Sequence, residues 1–305
     1  MTTAVEVRLL QAVDHVRVVY RRWVPEGEIR AALQVVHGAS EHSGRYGRLA
    51  TALTERGIAV YAMDLRGHGR TAESSGVGRY GGSGVDTVLH DVAGLNRVIA
   101  DEHPGVPRFL LGHSMGSIVA LAAAEKQGTD IAGLVLSGPL GVNPELGDAV
   151  TALEAAVASG AGDQAADILG PMNQAFEPAR TAYDWLSRDP AEVDAYIGDP
   201  LSGDDVPLTV AYVAEMFGLS VRAATPQGVA QLPDGLPVLL LSGQRDPVGG
   251  EEASQVNALA DLMRDRGLQV EQHVYPDARH EVFNETNRDE VTADLLTWLD
   301  QRLGS

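Results

Sequence analysis

The stretch FLLGHSMGSIVALAA, residues 109–123, sets a serine at the corner between two apolar runs. Phe109–Leu111 reads as the end of a buried strand, and Ile118–Ala124 reads as a helix. GHSMG between them fits the pattern G-x-S-x-G. A strand-to-helix turn this tight forces the serine into a strained backbone, and Gly112 and Gly116 leave room on either side of it. The result is a Ser114 hydroxyl exposed at a helix N-terminus, beside backbone N–H groups that have no partner in the helix. That is the setting of a nucleophile. An ordinary turn serine needs neither the paired glycines nor the apolar run on each side.

A nucleophilic serine needs a base, and the base needs a group that orients it. Downstream, LLLSGQRDP places Asp246 five residues past the last leucine of a strand-like run. VEQHVYPDARHEVFNE then places His280 just beyond the next such run. The chain has nine histidines, so order and placement must decide between them. His15, His90 and His103 lie in segments that read as strand or helix surface, and His273 lies inside a strand. His113 is fixed in the elbow and reads as structural. His280 follows both Ser114 and Asp246 and sits in a loop after a strand. Asp277 is a rival acid, but it shares the histidine's loop and is expected to shape it. Developing negative charge on the substrate calls for at least two N–H donors. Met115, after the nucleophile, is one. Ala39 in VVHGASEHSGRY is the other, with Gly38 permitting a tight path and His37 bracing the loop.

These residues need a frame. Strand-like runs at 31–38, 58–64, 108–112, 131–139, 236–243 and 268–276 alternate with helical segments near 45–56, 85–101, 114–124, 251–266 and 288–303. A further run, VRVVYRRWV at 16–24, reads as an edge or hairpin strand. Continuous apolar strands separated by helices imply an α/β fold with a mostly parallel sheet covered on both faces. The rhythm breaks over 140–206. There PELGDAVTALEAAVAS has helical spacing and turn-rich pieces follow. The expected organisation is a core of 1–139 and 207–305 with a helical cap inserted at 140–206.

Composition narrows the function. With 305 residues, 44% of them hydrophobic, the chain can bury a large core. A formal net charge of −19 argues against a nucleic-acid partner and against electrostatic docking on anionic lipid. The absence of cysteine excludes disulfides, thiolate metal sites and cysteine nucleophiles. The first residues lack a basic-then-apolar signal and no apolar run reaches transmembrane length, so the expected location is cytoplasmic. Two motifs mislead. ESSGVGRYGGSG lacks the Lys-Ser/Thr of a phosphate loop and reads as a flexible loop near the site. DLRGHG suggests a turn held by Asp64 and Arg66 rather than a metal site.

Taken together, HGASEHSGRY, MDLRGHGRT, GHSMG, SGQRDP and ARHEVFNE resemble the monoacylglycerol lipase and lysophospholipase group of serine α/β-hydrolases. The likeness runs from Val16 onward, and LSRDPAEVDAYIGDPL resembles that group's cap. Residues 141–180 match no pattern of the group. The resemblance implies an α/β-hydrolase fold, a triad of Ser114, Asp246 and His280, oxyanion donors at Ala39 and Met115, and a mobile apolar cap admitting one acyl chain. It implies no metal and no organic cofactor. The expected partner is a small-molecule acyl ester, with transient lipid contact through the cap. Monoacylglycerol is the first reading. A lysophospholipase, thioesterase or general carboxylesterase shares the same triad, and a hydrolase-like ligand receptor is the non-enzymatic alternative.

Overall fold

The computed structural model describes residues 4–126 and 130–304. Eight strands form one sheet: β1 (Val5–Gln11), β2 (Arg17–Trp23), β3 (Ala31–Val36), β4 (Ile58–Met63), β5 (Arg108–His113), β6 (Gly133–Ser137), β7 (Pro237–Gly243) and β8 (Gln269–Tyr275). Their order across the sheet is β1-β2-β4-β3-β5-β6-β7-β8. β2 runs antiparallel to both β1 and β4, and every other pairing is parallel. The principal helices are α1 (Gly47–Thr54), α2 (Val85–Glu102), α3 (Met115–Glu125), α4 (Leu146–Ala156), α5 (Pro190–Ile197), α6 (Val210–Ala223), α7 (Ser254–Asp265) and α8 (Arg288–Leu303).

The central strands are predominantly apolar because both of their faces are covered. Every residue of β3, β4 and β6 is buried. Successive side chains point to opposite faces, as the strand period requires. Leu33, Val35, Phe109 and Leu111 pack on one side with Leu49 and Leu53 of α1 and Leu295 and Trp298 of α8. Ala32, Val36, Leu110 and Leu134 pack on the other with α2, α3, α6 and α7, through residues such as Val88, Val119, Met216 and Leu259. From Met115 to Ala124 every residue of α3 is buried. The nucleophile candidate therefore stands at the end of a helix that cannot shift without disturbing the core.

The structure adds elements that the sequence did not reveal. β1 pairs with β2 as a hairpin and forms the sheet edge, leaving Leu9 61% exposed. α6 lies beyond the expected end of the insertion and packs against both α3 and α4. The glycine-rich loop is tethered at two points, Gly78 and Tyr80. The Gly78 carbonyl accepts from the Thr209 N–H at 3.2 Å and from the Thr209 hydroxyl at 2.8 Å. Tyr80 stacks on Tyr212 at 4.1 Å between ring centres. An aromatic stack and a doubly used acceptor fix a segment whose composition alone signals freedom. Asp64 and Arg66 do brace the turn after β4, but through different partners. Asp64 accepts from Ser43 and from the Arg70 backbone, while Arg66 bridges Asp14 and Asp91.

Candidate active site

Ser114 adopts φ 53° and ψ −124°, a conformation that residues with a Cβ rarely take. Two hydrogen bonds over-determine it. The Ser114 N–H donates to the Ser137 carbonyl at 2.9 Å, and its own carbonyl accepts from the Ser117 N–H at 2.8 Å. The glycines have the expected cause. A side chain at Gly116 would collide with the Val36 and His37 carbonyl oxygens, and one at Gly112 would strike the Gly116 backbone. Close approach of α3 to β3 and β5 is thus what drives the Ser114 side chain outward.

Asp246 lies in the loop after β7 and His280 in the loop after β8, and both are buried. His280 Nδ1 lies 2.9 Å from each Asp246 carboxylate oxygen. An ionised carboxylate only accepts, so Nδ1 carries the proton and the Nε2 lone pair is left free. The imidazole sits between two rings, His113 and Trp185, each 4.9 Å away by ring centres. Burial pulls the His280 pKa down, but the charge of Asp246 and its hydrogen bond outweigh that and raise it above the ordinary value. Burial keeps the neighbouring His113 below its ordinary value, helped by repulsion from His280. Asp277 is exposed and donates its N–H to the Gln244 side chain at 3.1 Å, whereas the hydrogen bonds that His280 Nδ1 makes among the described residues go to Asp246.

Ala39, Ser114 and Met115 line one cavity of about 290 Å³. Among the described residues, the Ala39 and Met115 N–H groups donate to no acceptor. His37 braces the Ala39 loop: Nδ1 donates to the Gly38 carbonyl at 2.8 Å and Nε2 accepts from the Leu65 N–H at 2.9 Å. α5 and the segment that follows it hold the same loop from outside. Gly203 N–H and the Tyr196 hydroxyl both donate to the Ser40 carbonyl, at 2.8 and 3.0 Å. Most of the remaining cavity wall is apolar, with Ile118 from α3, Leu146 from α4 and Met216 from α6, and Met172 and Val248 outside these helices.

Sequence reasoning missed a buried ionic bridge behind these groups. Glu41 Oε1 accepts the Gly38 N–H at 2.5 Å and the Tyr46 hydroxyl at 3.0 Å. Arg45 reaches Glu41 at 3.0 Å and grips both Glu281 oxygens, at 2.5 and 2.8 Å. The bridge ties the Ala39 loop to the residue next to His280. Burial alone would raise the pKa of both carboxyls, but the Arg45 charge holds each below the usual carboxylate range. The Glu-x-x-x-Arg spacing was the available signal, and it reads equally well as an exposed helical pair. Arg45→Met should therefore strand two buried carboxylates and cost about 3–5 kcal/mol at neutral pH. Depressed carboxyl pKa values stabilise above the unfolded value of about 4.3, and that stabilisation fades as pH falls. Urea unfolding should show a deficit at pH 7 that shrinks as pH falls and the stranded carboxylates take up protons. A deficit independent of pH would contradict the ionic account.

A strand-to-helix elbow carrying serine, with an aspartate-bound histidine from the two following loops, defines a serine hydrolase of the α/β-hydrolase fold. Residues 27–287 match the serine aminopeptidase S33 family, and the chain belongs to that family. It is 33% identical to a monoacylglycerol lipase of Mycolicibacterium smegmatis over 95% of each chain. It is 31% identical to a human monoglyceride lipase, over 92% of this chain and 86% of that one. Among solved structures, a thermostable carboxyl esterase from Bacillus coagulans superposes with a TM-score of 0.91 at 29% identity, covering 99% of this chain and 100% of that one. The family description names a peptidase, whereas the relatives that span the chain are named as lipases and an esterase. Among the described residues, no helix is long and apolar enough to cross a membrane.

Proposed function

We propose that this serine ester hydrolase cleaves monoacylglycerols or similar neutral single-chain esters through an acyl-enzyme on Ser114. His280 Nε2 takes the Ser114 proton as Oγ attacks the ester carbonyl. The Ala39 and Met115 N–H groups receive the oxyanion, and Asp246 supports the imidazolium. The alcohol leaves with that proton. Water, deprotonated in turn by His280, releases the fatty acid and restores Ser114. The helices between β6 and β7 act as the cap, whose apolar side forms the acyl groove.

The observation that carries this reading is the apolar cavity directly over an elbow serine. Its lining also favours a neutral substrate. Among the described residues that line it, Glu145 is the one with a formal charge. A lysophospholipid phosphate would meet a carboxylate there and no cation. Each methylene buried in the groove contributes up to about 0.8 kcal/mol, or roughly fourfold in binding. KM should fall as the acyl chain of a monoacylglycerol lengthens until the groove is full. Diacyl- and triacylglycerols should be poor substrates, because a groove for one chain leaves no room for a second. Hydrolysis of a matched mono-, di- and triacylglycerol series tests this. Rates indifferent to chain length, or faster triacylglycerol turnover, would leave a general esterase.

A further inference from the structure

The outer edge of β1 carries no neighbouring strand. Where the β1–β2 hairpin closes, the Ala12 N–H donates to the Val16 carbonyl at 3.0 Å. Antiparallel pairing alternates along a strand. The backbone groups of Leu10, Arg8 and Glu6 therefore face β2, and those of Val5, Val7 and Leu9 face outward. Among the described residues no hydrogen bond reaches these outward groups. A bare edge of this kind is a template for a further strand. Its side chains are distinctive too. Among the described residues eight large hydrophobic side chains are exposed, and Val5, Val7 and Leu9 set three of them on one face of this strand. A fourth, Val13, lies in the turn that follows. Glu6, Arg8 and Leu10 alternate to the other face, where Leu10 packs against the core.

The strand is complementary to itself. When it is set antiparallel to a second copy with Val7 opposite Val7, Val5 faces Leu9 and Glu6 faces Arg8 on both sides of a two-fold axis. Val7–Val7 and Val5–Leu9 are then the hydrogen-bonded pairs. Glu6–Arg8 is the non-hydrogen-bonded pair, in which opposed side chains come closer together. Other registers fail. A slip of two residues sets Glu6 against Glu6 or Arg8 against Arg8. A slip of one sets outward-facing backbone groups against inward-facing ones. The formal net charge of −19 makes two copies repel, but this edge is locally basic. Val7, Leu9 and Val19 border a groove whose rim holds Arg8, Arg17 and Arg70 against one acid, Glu73.

We propose that β1 is a self-association edge: two copies of this chain pair β1 to β1 about a two-fold axis, with Glu6 of each opposite Arg8 of the other, and join their sheets into one. The proposal is independent of the chemistry at Ser114. One strand pair buries little surface, so the dimer is weak and depends on concentration. Sedimentation equilibrium of the full chain from about 1 to about 200 µM should show monomer passing into dimer. Arg8→Glu and Glu6→Lys each turn two attractive cross-strand pairs into repulsive ones, and each should raise the dimer Kd about tenfold. An equimolar mixture of these two variants has one pair in the native order and one with its charges exchanged. It should therefore associate more tightly than either variant alone. Val7→Lys places two like charges face to face on the axis and should weaken the dimer as well. All three residues are exposed, so thermal melting should show the variants folded. If either charge variant does not fold, Val7→Lys decides alone. A wild type that stays monomeric throughout, a dimer indifferent to the substitutions, or a mixture no tighter than its components would overturn the proposal.

Discussion

Ser114→Ala is expected to remove ester turnover almost entirely, by about a million-fold in kcat if the loss matches that in another serine hydrolase. The loss should come without unfolding. Among the described residues the Ser114 side chain makes no capping hydrogen bond to its helix, and alanine keeps the Cβ that the φ of 53° already has to accommodate. A substitution that removes no contact and adds no atom should change stability by less than about 0.5 kcal/mol. Thermal melting of the pure variant should therefore overlay the wild type. A fluorophosphonate probe should label the wild type and leave the variant unmarked. Residual turnover within about a hundredfold of wild type would assign the nucleophile elsewhere, because an oxyanion hole without its nucleophile retains far less.

The elbow was legible because its cause is local. Gly112 and Gly116 are dictated by carbonyls a few ångströms away, and that crowding leaves a fixed spacing in the sequence. Asp246 and His280 were legible for a different reason. Each follows an apolar run that could only be a covered strand, and the sheet brings successive strand ends to one edge. The central strands, buried on every residue, gave the clearest pattern of all. What escaped was set by contacts between distant segments. α6 shows buried residues on several sides, Tyr212, Ala214, Met216 and Leu219 among them, because it is wedged between α3, α4 and the Tyr80 loop. An amphipathic stripe is blurred by such surroundings. β1 is an edge strand with alternating charges, and its partner fixes it more than its own composition does. Glu41, Arg45 and Glu281 escaped because residue type places charges at the surface. Their burial becomes visible only when the loops after β3 and β8 are seen to meet.

Asp246→Asn should be nearly as damaging as loss of the nucleophile and more informative. Asparagine keeps the shape but can present its amide N–H to His280 Nδ1, which favours the tautomer with the proton on Nε2. That tautomer cannot accept the Ser114 proton, and the corresponding change in a serine protease costs about ten-thousand-fold. The pH profile should move as well. In the proposed mechanism the base must be neutral His280, whose pKa Asp246 raises against the lowering effect of burial. In the wild type kcat/KM should therefore rise with pH through a midpoint above about 6.5, the unperturbed histidine value. Without the carboxylate charge, burial prevails and the midpoint should move to lower pH, on a plateau far below the wild type. Stability runs the opposite way. A histidine pKa raised by folding stabilises the native state fully below about pH 6.5, and that stabilisation is lost as pH rises through the folded value. The variant should thus lose more stability at pH 5 than at pH 9, which denaturant unfolding at the two pH values will measure. Asp277→Asn is the control. Asp277 is exposed and its N–H is held by Gln244, so its substitution should leave both the rate and the midpoint near wild type. If Asp277→Asn were the crippling change and Asp246→Asn the mild one, the orienting acid would be Asp277, and the 2.9 Å contacts between Asp246 and His280 would have no catalytic part.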